Sequence, residues 1–364
     1  MSTPSRKLDH IRICVEEEVE SEWRPFGDLM LVHRALPEID ASKIDTRCKF
    51  LGKDLSFPMM ICAMTGGHPD VKKINVNLAL AAQEMGVALG VGSQRAALEN
   101  PELADTFSAV RDVAPDVPLV GNIGSVQLRR GGPKMLENLA EMIDADAIAI
   151  HLNALQECIQ PEGEAEGNGA LEAIKAASTG KIPLIVKETG AGISWEDASA
   201  LVGAGVKMID VGGLGGTSWA GVEVYRAEEN GDIESAQMGR LFWDWGVPTP
   251  VSIVESVSAG AKVISSGGIR NGLDVAKSLA LGATMAGCAL SLLAPAIKGP
   301  DEVAKVLCRY AKELKTAMFL TGSANLMEMG GAPVIVRGKV QEILGQRGFD
   351  TRTFATRRMV GPGR

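Results

Sequence analysis

A chain of 364 residues and 38.3 kDa is long enough for one large α/β barrel or two ordinary domains. Its 42 glycines, 46% apolar residues and 4% aromatics suit strands and helices joined by tight turns, and exclude a disordered chain. A net charge of −8 with no basic block argues against nucleic acid as the partner, but not against a small anionic ligand, which needs only local donors.

No apolar run is long enough to span a membrane, and Met1 to His10 is polar and basic, unlike a signal peptide. Six cysteines (Cys14, Cys48, Cys62, Cys158, Cys288, Cys308) are scattered without a CxxC pair, as expected of reduced residues in a cytoplasmic protein. Residues 1–57 show no clear period and predict an irregular cap around Trp23, Pro25 and Gly27. Arg6, Lys7 and His10 form a basic cluster there, which taken alone reads as a solvated tail.

From residue 58 the pattern becomes regular. Eight short apolar runs end in polar or glycine-rich residues: 58–63, 86–91, 118–120, 147–150, 182–186, 206–211, 261–264 and 284–288. Helical spacing marks 71–85, 101–113, 134–143, 170–177, 195–202, 251–259 and 273–281. Eight strand–helix units in succession predict a single α/β domain, a (β/α)8 TIM barrel over 58–323, with the N-terminal cap before it and a C-terminal extension, 324–364, after it. The sixth unit is stretched: residues 218–250 hold Trp219, Trp243 and Trp245 among many acids, and a loop this long predicts a lid or a disordered insert.

In such a barrel the strand interiors are core, and the residues just past each strand face the site. The run 147–150 leads straight into His151, Asn153, Gln156 and Glu157, the last two at the turn into the next loop. An imidazole, two amides and a carboxylate beside a core suggest function; a strand end with satisfied hydrogen bonds is an equal reading of this segment alone. Gly267, Gly268 and Arg270, the glycine-rich stretch 212–217, and the turn at Ala289 and Leu290 supply the backbone N–H groups that hold phosphate at this end of the fold. Glycines that merely permit tight turns are the alternative. Lys187 ends the fifth run, where an ammonium needs a partner or serves a Schiff base. Thr65, Ser93 and Asn122 offer neutral hydrogen-bonding groups for a flat heteroaromatic ring, and Lys187 suits a ring that turns anionic on reduction. Together they favour flavin mononucleotide over a sugar phosphate.

The series Arg6-Lys7-x-x-His10-Ile11, Met64-Thr65-Gly66-Gly67, Gly92-Ser93-Gln94-Arg95, Gly121-Asn122, His151-Leu152-Asn153-x-x-Gln156-Glu157, Lys187-Glu188, Gly215-Gly216-Thr217-Ser218-Trp219 and Gly267-Gly268-Ile269-Arg270 resembles the type 2 isopentenyl-diphosphate delta-isomerases. The match runs in order over essentially the whole chain. Its HLNxxQE and RKxxHI segments are specific, its glycine turns are shared by many FMN barrels, and Gly287 to Leu290 fits loosely. The resemblance implies interconversion of isopentenyl and dimethylallyl diphosphate in isoprenoid biosynthesis, with Mg²⁺ and with FMN reduced by NADPH or NADH, in a homo-oligomer (tetramer or octamer). It implies Gln156 and His151 in catalysis and Glu157 on the metal. Ser93, Arg95, Asn153 and Gln156 would meet the substrate, joined by Arg6, Lys7 and His10 across a subunit boundary. FMN would contact Met64, Thr65, Gly66, Gly67, Ser93, Asn122, Lys187, Thr217, Gly267, Gly268, Arg270, Ala289 and Leu290.

The residue types suit that chemistry. Moving a double bond needs a proton added at one carbon and lost from another, and an amide such as Gln156 has no useful pKa to supply it alone; a reduced flavin N5 or N1 can. Mg²⁺ commonly bridges one or two carboxylates to phosphates, so one Glu is enough. Two rivals remain: an FMN-dependent 2-hydroxy-acid oxidoreductase, for which no late strand end supplies a histidine base, and a non-catalytic phosphate-binding barrel.

Overall fold

The computed structural model describes residues 3–359, with side chains from Lys7 onward. Eight parallel strands close into a barrel: β1 Met59–Ile61, β2 Ala88–Gly90, β3 Leu119–Gly124, β4 Ala147–His151, β5 Leu184–Lys187, β6 Met208–Asp210, β7 Lys262–Ser265 and β8 Met285–Cys288. β8 pairs back onto β1, so no edge is left open. The predicted (β/α)8 architecture is therefore the observed one.

Alternation along each strand divides the core in two. Met60, Ala88, Val120, Ala149, Ile185, Ile264 and Met285 pack together in one buried cluster. Their neighbours Ile61, Leu89, Leu119, Ile148, Val186, Ile209 and Val263 belong to the larger cluster shared with the helices. Phe50 and Leu55, from the hairpin Cys48–Phe50 and Lys53–Leu55, join the first cluster, so both faces of the strands are covered.

Strand register sets the height of the polar groups. His151 stands opposite Lys187, and Lys187 opposite Asp210, so β4, β5 and β6 each end in a polar side chain at one level. This places the site at the C-terminal ends of the strands, as the fold requires.

Three expectations need correction. Gln156 and Glu157 lie on a short helix, Ala154–Ile159, and not in a turn. Residues 218–250 are neither a disordered insert nor an open loop: they form helices Trp219–Glu229 and Ile233–Leu241 and begin a third, Thr249–Ser258. Ala220, Val222, Val224 and Ala227 are buried, which offsets the cost of ordering so acidic a segment. Nor is the basic N-terminus a solvated tail. Thr3–Glu16 is a helix whose Ile13 is fully buried against Val19 and Val222. The remaining cap and the C-terminal extension close on each other, because Leu29–Leu31 pairs antiparallel with Val334–Val336. Among the described residues no helix is long and apolar enough to cross a membrane.

Candidate active site

A cavity of about 290 Å³ opens at the C-terminal ends of the strands. Lys7, His10, Met64, Thr65, Ser93, Arg95, Asn122, His151, Asn153, Gln156, Glu157, Lys187, Thr217, Gly267, Gly268, Arg270, Ala289 and Leu290 all line it. Gly66 and Gly67 stand behind its wall. The Gly66 carbonyl accepts from Lys7 Nζ, and the Gly67 N–H donates to Thr106 Oγ1 at 2.8 Å. The Arg6 side chain lies outside the described residues. Lys7 and His10 reach the mouth of their own barrel, because the helix that carries them docks there.

One bank of the cavity is neutral. Asn122 Nδ2 donates to the Val91 carbonyl at 3.2 Å, which turns its Oδ1 toward His151 Nδ1 at 2.9 Å. The His151 proton therefore sits on Nδ1, and Nε2 is left as an acceptor. Burial first, then the charges of Lys187 and Lys7, hold the His151 pKa down to about 3. A neutral His151 is an orienting and accepting group at pH 7, not an acid, which narrows the catalytic role expected of it.

The other bank is ionic. Gln156 Nε2 donates to Glu223 Oε1 at 3.2 Å, the oxygen that also meets His10 Nε2 at 3.0 Å. Arg226 Nη1 holds the second oxygen of Glu223 at 2.6 Å. Burial is the largest influence on Glu223 and pushes its pKa up, but the hydrogen bond and charge of His10, with Arg226 and Gln156, bring it below the usual value. Glu223 is thus a buried carboxylate anion directly behind Gln156. The His10 ring meets Trp219 edge-on, with centroids 5.2 Å apart. Glu157 Oε1 accepts from Asn153 Nδ2 at 2.7 Å, and Glu157 Oε2 from Gln160 Nε2 at 2.8 Å.

The glycine turns after β6 and β7 pack backbone on backbone. A Cβ on Gly216 would stand 2.5 Å from the Gly268 nitrogen, and one on Gly268 2.4 Å from the Gly215 oxygen. Arg270 ties them, giving Nη2 to the Gly215 carbonyl at 2.8 Å and Nη1 to the Gly268 carbonyl at 3.0 Å. Glu20 caps the same guanidinium at 2.6 Å. Arg270 Nε and Thr65 Oγ1 are buried without a hydrogen-bond partner among the described residues. Orphaned polar atoms of this kind call for a ligand. A flavin phosphate beside the glycine turns and a ring near Thr65 suit them. Among the described residues no group of three or more His, Cys, Asp or Glu could hold a metal. A cation on Glu157 alone would take its other ligands from substrate and water, as Mg²⁺ does.

Sequence reasoning gave no role to Glu223, Asp210 or Glu188. Asp210 is fully buried at the end of β6, accepts from Ser266 Oγ, and has its pKa raised by burial. An acid inside an apolar run was its signal. Glu223 carried the matching one, a carboxylate among the apolar residues of an amphipathic helix. Glu188 Oε2 accepts the backbone N–H groups of Thr189, Gly190 and Ala191 at 2.6, 2.8 and 2.5 Å.

Fold and cavity together define a flavin-type (β/α)8 barrel. A family model described as FMN-dependent dehydrogenase matches residues 168–335. Solved structures of mandelate oxidase share the fold: the complex with (S)-mandelic acid has a TM-score of 0.60 at 19% identity, covering 93% of this chain and 91% of that one. The complex with benzaldehyde has a TM-score of 0.62 at 19% identity, covering 92% and 95%. Sequence relatives are more specific. The isopentenyl-diphosphate delta-isomerase of Methanothrix thermoacetophila is 60% identical over 98% of this chain and 100% of its own. Those of Methanosarcina barkeri (51%, over 97% and 98%) and Archaeoglobus fulgidus (50%, over 96% and 100%) follow. The chain belongs to the isopentenyl-diphosphate delta-isomerase family and is an isomerase.

Proposed function

We propose that this isomerase interconverts isopentenyl and dimethylallyl diphosphate, with reduced FMN and Mg²⁺. One observation carries the reading: Gln156, an amide tied to the buried Glu223 anion, adjoins Glu157 on one helix turn inside the cavity. Arg95 and Lys7 supply the positive charge for a diphosphate, His10 a polar ring beside them, and Glu157 an oxygen ligand for its Mg²⁺. Gln156 orients the alkene end. Glu223 behind it stabilises positive charge developing at the tertiary carbon and is the ionisable group hydrogen-bonded to that amide. Neutral His151 accepts a hydrogen bond through Nε2. FMN, when bound, supplies an electron-rich ring and a transferable proton; Thr65, Asn122, Lys187, the glycine turns and Arg270 would hold it.

Oxidation of a 2-hydroxy acid is disfavoured, because the chain has no histidine after His151 to act as base late in the barrel. NADPH or NADH as reductant, a tetrameric or octameric assembly, and a cytoplasmic location belong to the same proposal. An anaerobic assay with isopentenyl diphosphate, Mg²⁺ and FMN, with and without reductant, tests it. Dimethylallyl diphosphate should form only in the reduced sample; equal inactivity in both rejects the reading.

A further inference from the structure

Residues 160–169 join helix Ala154–Ile159 to helix Ala170–Ser178 and carry three glutamates that the chemistry above does not use. Each meets an arginine. Glu162 pairs with Arg226, and Glu166 with Arg129 and Arg130. Glu164 pairs with Arg95 at 3.0 Å and Arg130 at 2.7 Å.

Glu164 engages two groups of the site at once. Arg95 gives Nε to Glu99 at 2.7 Å and Nη1 to Glu164. A two-pronged grip on phosphate draws on Nη2 together with either Nε or Nη1, and both of those already face carboxylates. Meanwhile the Glu164 backbone N–H donates to Glu157 Oε2 at 2.6 Å, beside Gln160 Nε2 on the same oxygen. The segment thus holds the anion-binding arginine through a side chain and the metal-binding carboxylate through its backbone. Its fit is close: a Cβ on Gly163 would lie 1.9 Å from the Glu157 carbonyl oxygen, so this position needs glycine.

We propose that residues 160–169 form an electrostatic latch that selects metal-bound diphosphate over the free anion. The latch rests on the diphosphate and Mg²⁺ reading above. A bare diphosphate approaches Arg95 against the repulsion of Glu99, Glu164 and Glu157. A dication on Glu157 competes with the two N–H donors that tie the strap there, which frees Glu164 to leave Arg95. Phosphate then takes its place. Metal and anion open the latch together, and neither suffices alone.

Calorimetric titration of the FMN-loaded protein with inorganic pyrophosphate, in Mg²⁺ and in chelator, tests this. In wild type, pyrophosphate should bind far more tightly with Mg²⁺. Glu164→Gln should bind metal-free pyrophosphate about tenfold more tightly than wild type, the scale of one charge-assisted hydrogen bond, and its Mg²⁺ dependence should shrink accordingly. Unchanged or weaker metal-free binding, with the Mg²⁺ dependence intact, overturns the latch and leaves Glu164 as a support for Arg95. If neither protein binds pyrophosphate with Mg²⁺, the diphosphate reading itself fails. Opening is read separately in wild type: a glutamyl endopeptidase should cut the strap faster with Mg²⁺ and pyrophosphate together than with either alone. Equal rates in every condition overturn the latch.

Discussion

Glu188→Gln gives a signed test of the site's electrostatics. Glu188 is 8% exposed, and one of its oxygens accepts three successive backbone N–H groups that shape the wall after β5. Burial raises its pKa most. Those N–H groups and the Lys187 charge pull it back, and it settles at about 7 against an ordinary 4.5. A raised carboxyl pKa in the folded state means that stability is fully present below the unfolded value and is lost as pH rises through the folded one. At about 1.4 kcal/mol per pH unit, the gap is worth on the order of 3 kcal/mol, lost between about pH 4.5 and 7. Glutamine keeps a carbonyl oxygen for the three donors and has no charge to bury. The difference in unfolding free energy, wild type minus Glu188→Gln, should therefore fall by about 2–3 kcal/mol between pH 5 and 8 in denaturant titrations of the FMN-loaded protein. A difference flat with pH, or rising, refutes the argument.

Gln156→Ala should lose most isomerase activity yet keep its flavin, whereas Glu157→Gln should raise the Mg²⁺ concentration needed for half-maximal rate; wild-type turnover in Gln156→Ala removes that residue from the mechanism. Lys187→Ala should lower the midpoint potential of the bound flavin, since the ammonium favours an anionic reduced ring; spectroelectrochemical titration showing an equal or higher potential contradicts this. Arg6→Ala with Lys7→Ala should raise KM strongly at constant flavin content, charged hydrogen bonds being worth about 1.5–3 kcal/mol each. Mixing that double variant with Gln156→Ala should restore no activity if each helix serves its own barrel, and recovered activity would show a shared site.

The barrel was legible because strand and helix periods differ so clearly. Lys134–Ile143 is the predicted helix residue for residue, and every predicted apolar run overlaps its strand. The strand-end part of the cavity was legible because a barrel places strand-end residues at its mouth, so Thr65, Asn122 and Lys187 were expected there, and they line it. The ionic bank was not. Glu223 reaches His10, 213 residues away in the chain, and Gln156, 67 residues away, only through the docking of three helices, a relation no local period encodes. Thr3–Glu16 was hidden for the same reason: its stability comes from burying Ile13 on the helix Trp219–Glu229, and its own sequence reads as a tail. The length and acids of 218–250 suggested a lid or a disordered insert because composition does not show which face a helix buries.

The central claim is that this cavity moves a proton on a five-carbon alkenyl diphosphate, turning a homoallylic ester into an allylic one without net redox change. The most direct measurement is anaerobic incubation of the reduced, FMN-loaded protein with isopentenyl diphosphate and Mg²⁺ in deuterated water, following product by mass spectrometry and flavin by absorbance. Dimethylallyl diphosphate carrying solvent deuterium should accumulate over many turnovers while the flavin stays reduced. Unlabelled product, or flavin oxidised in step with product, would contradict the account.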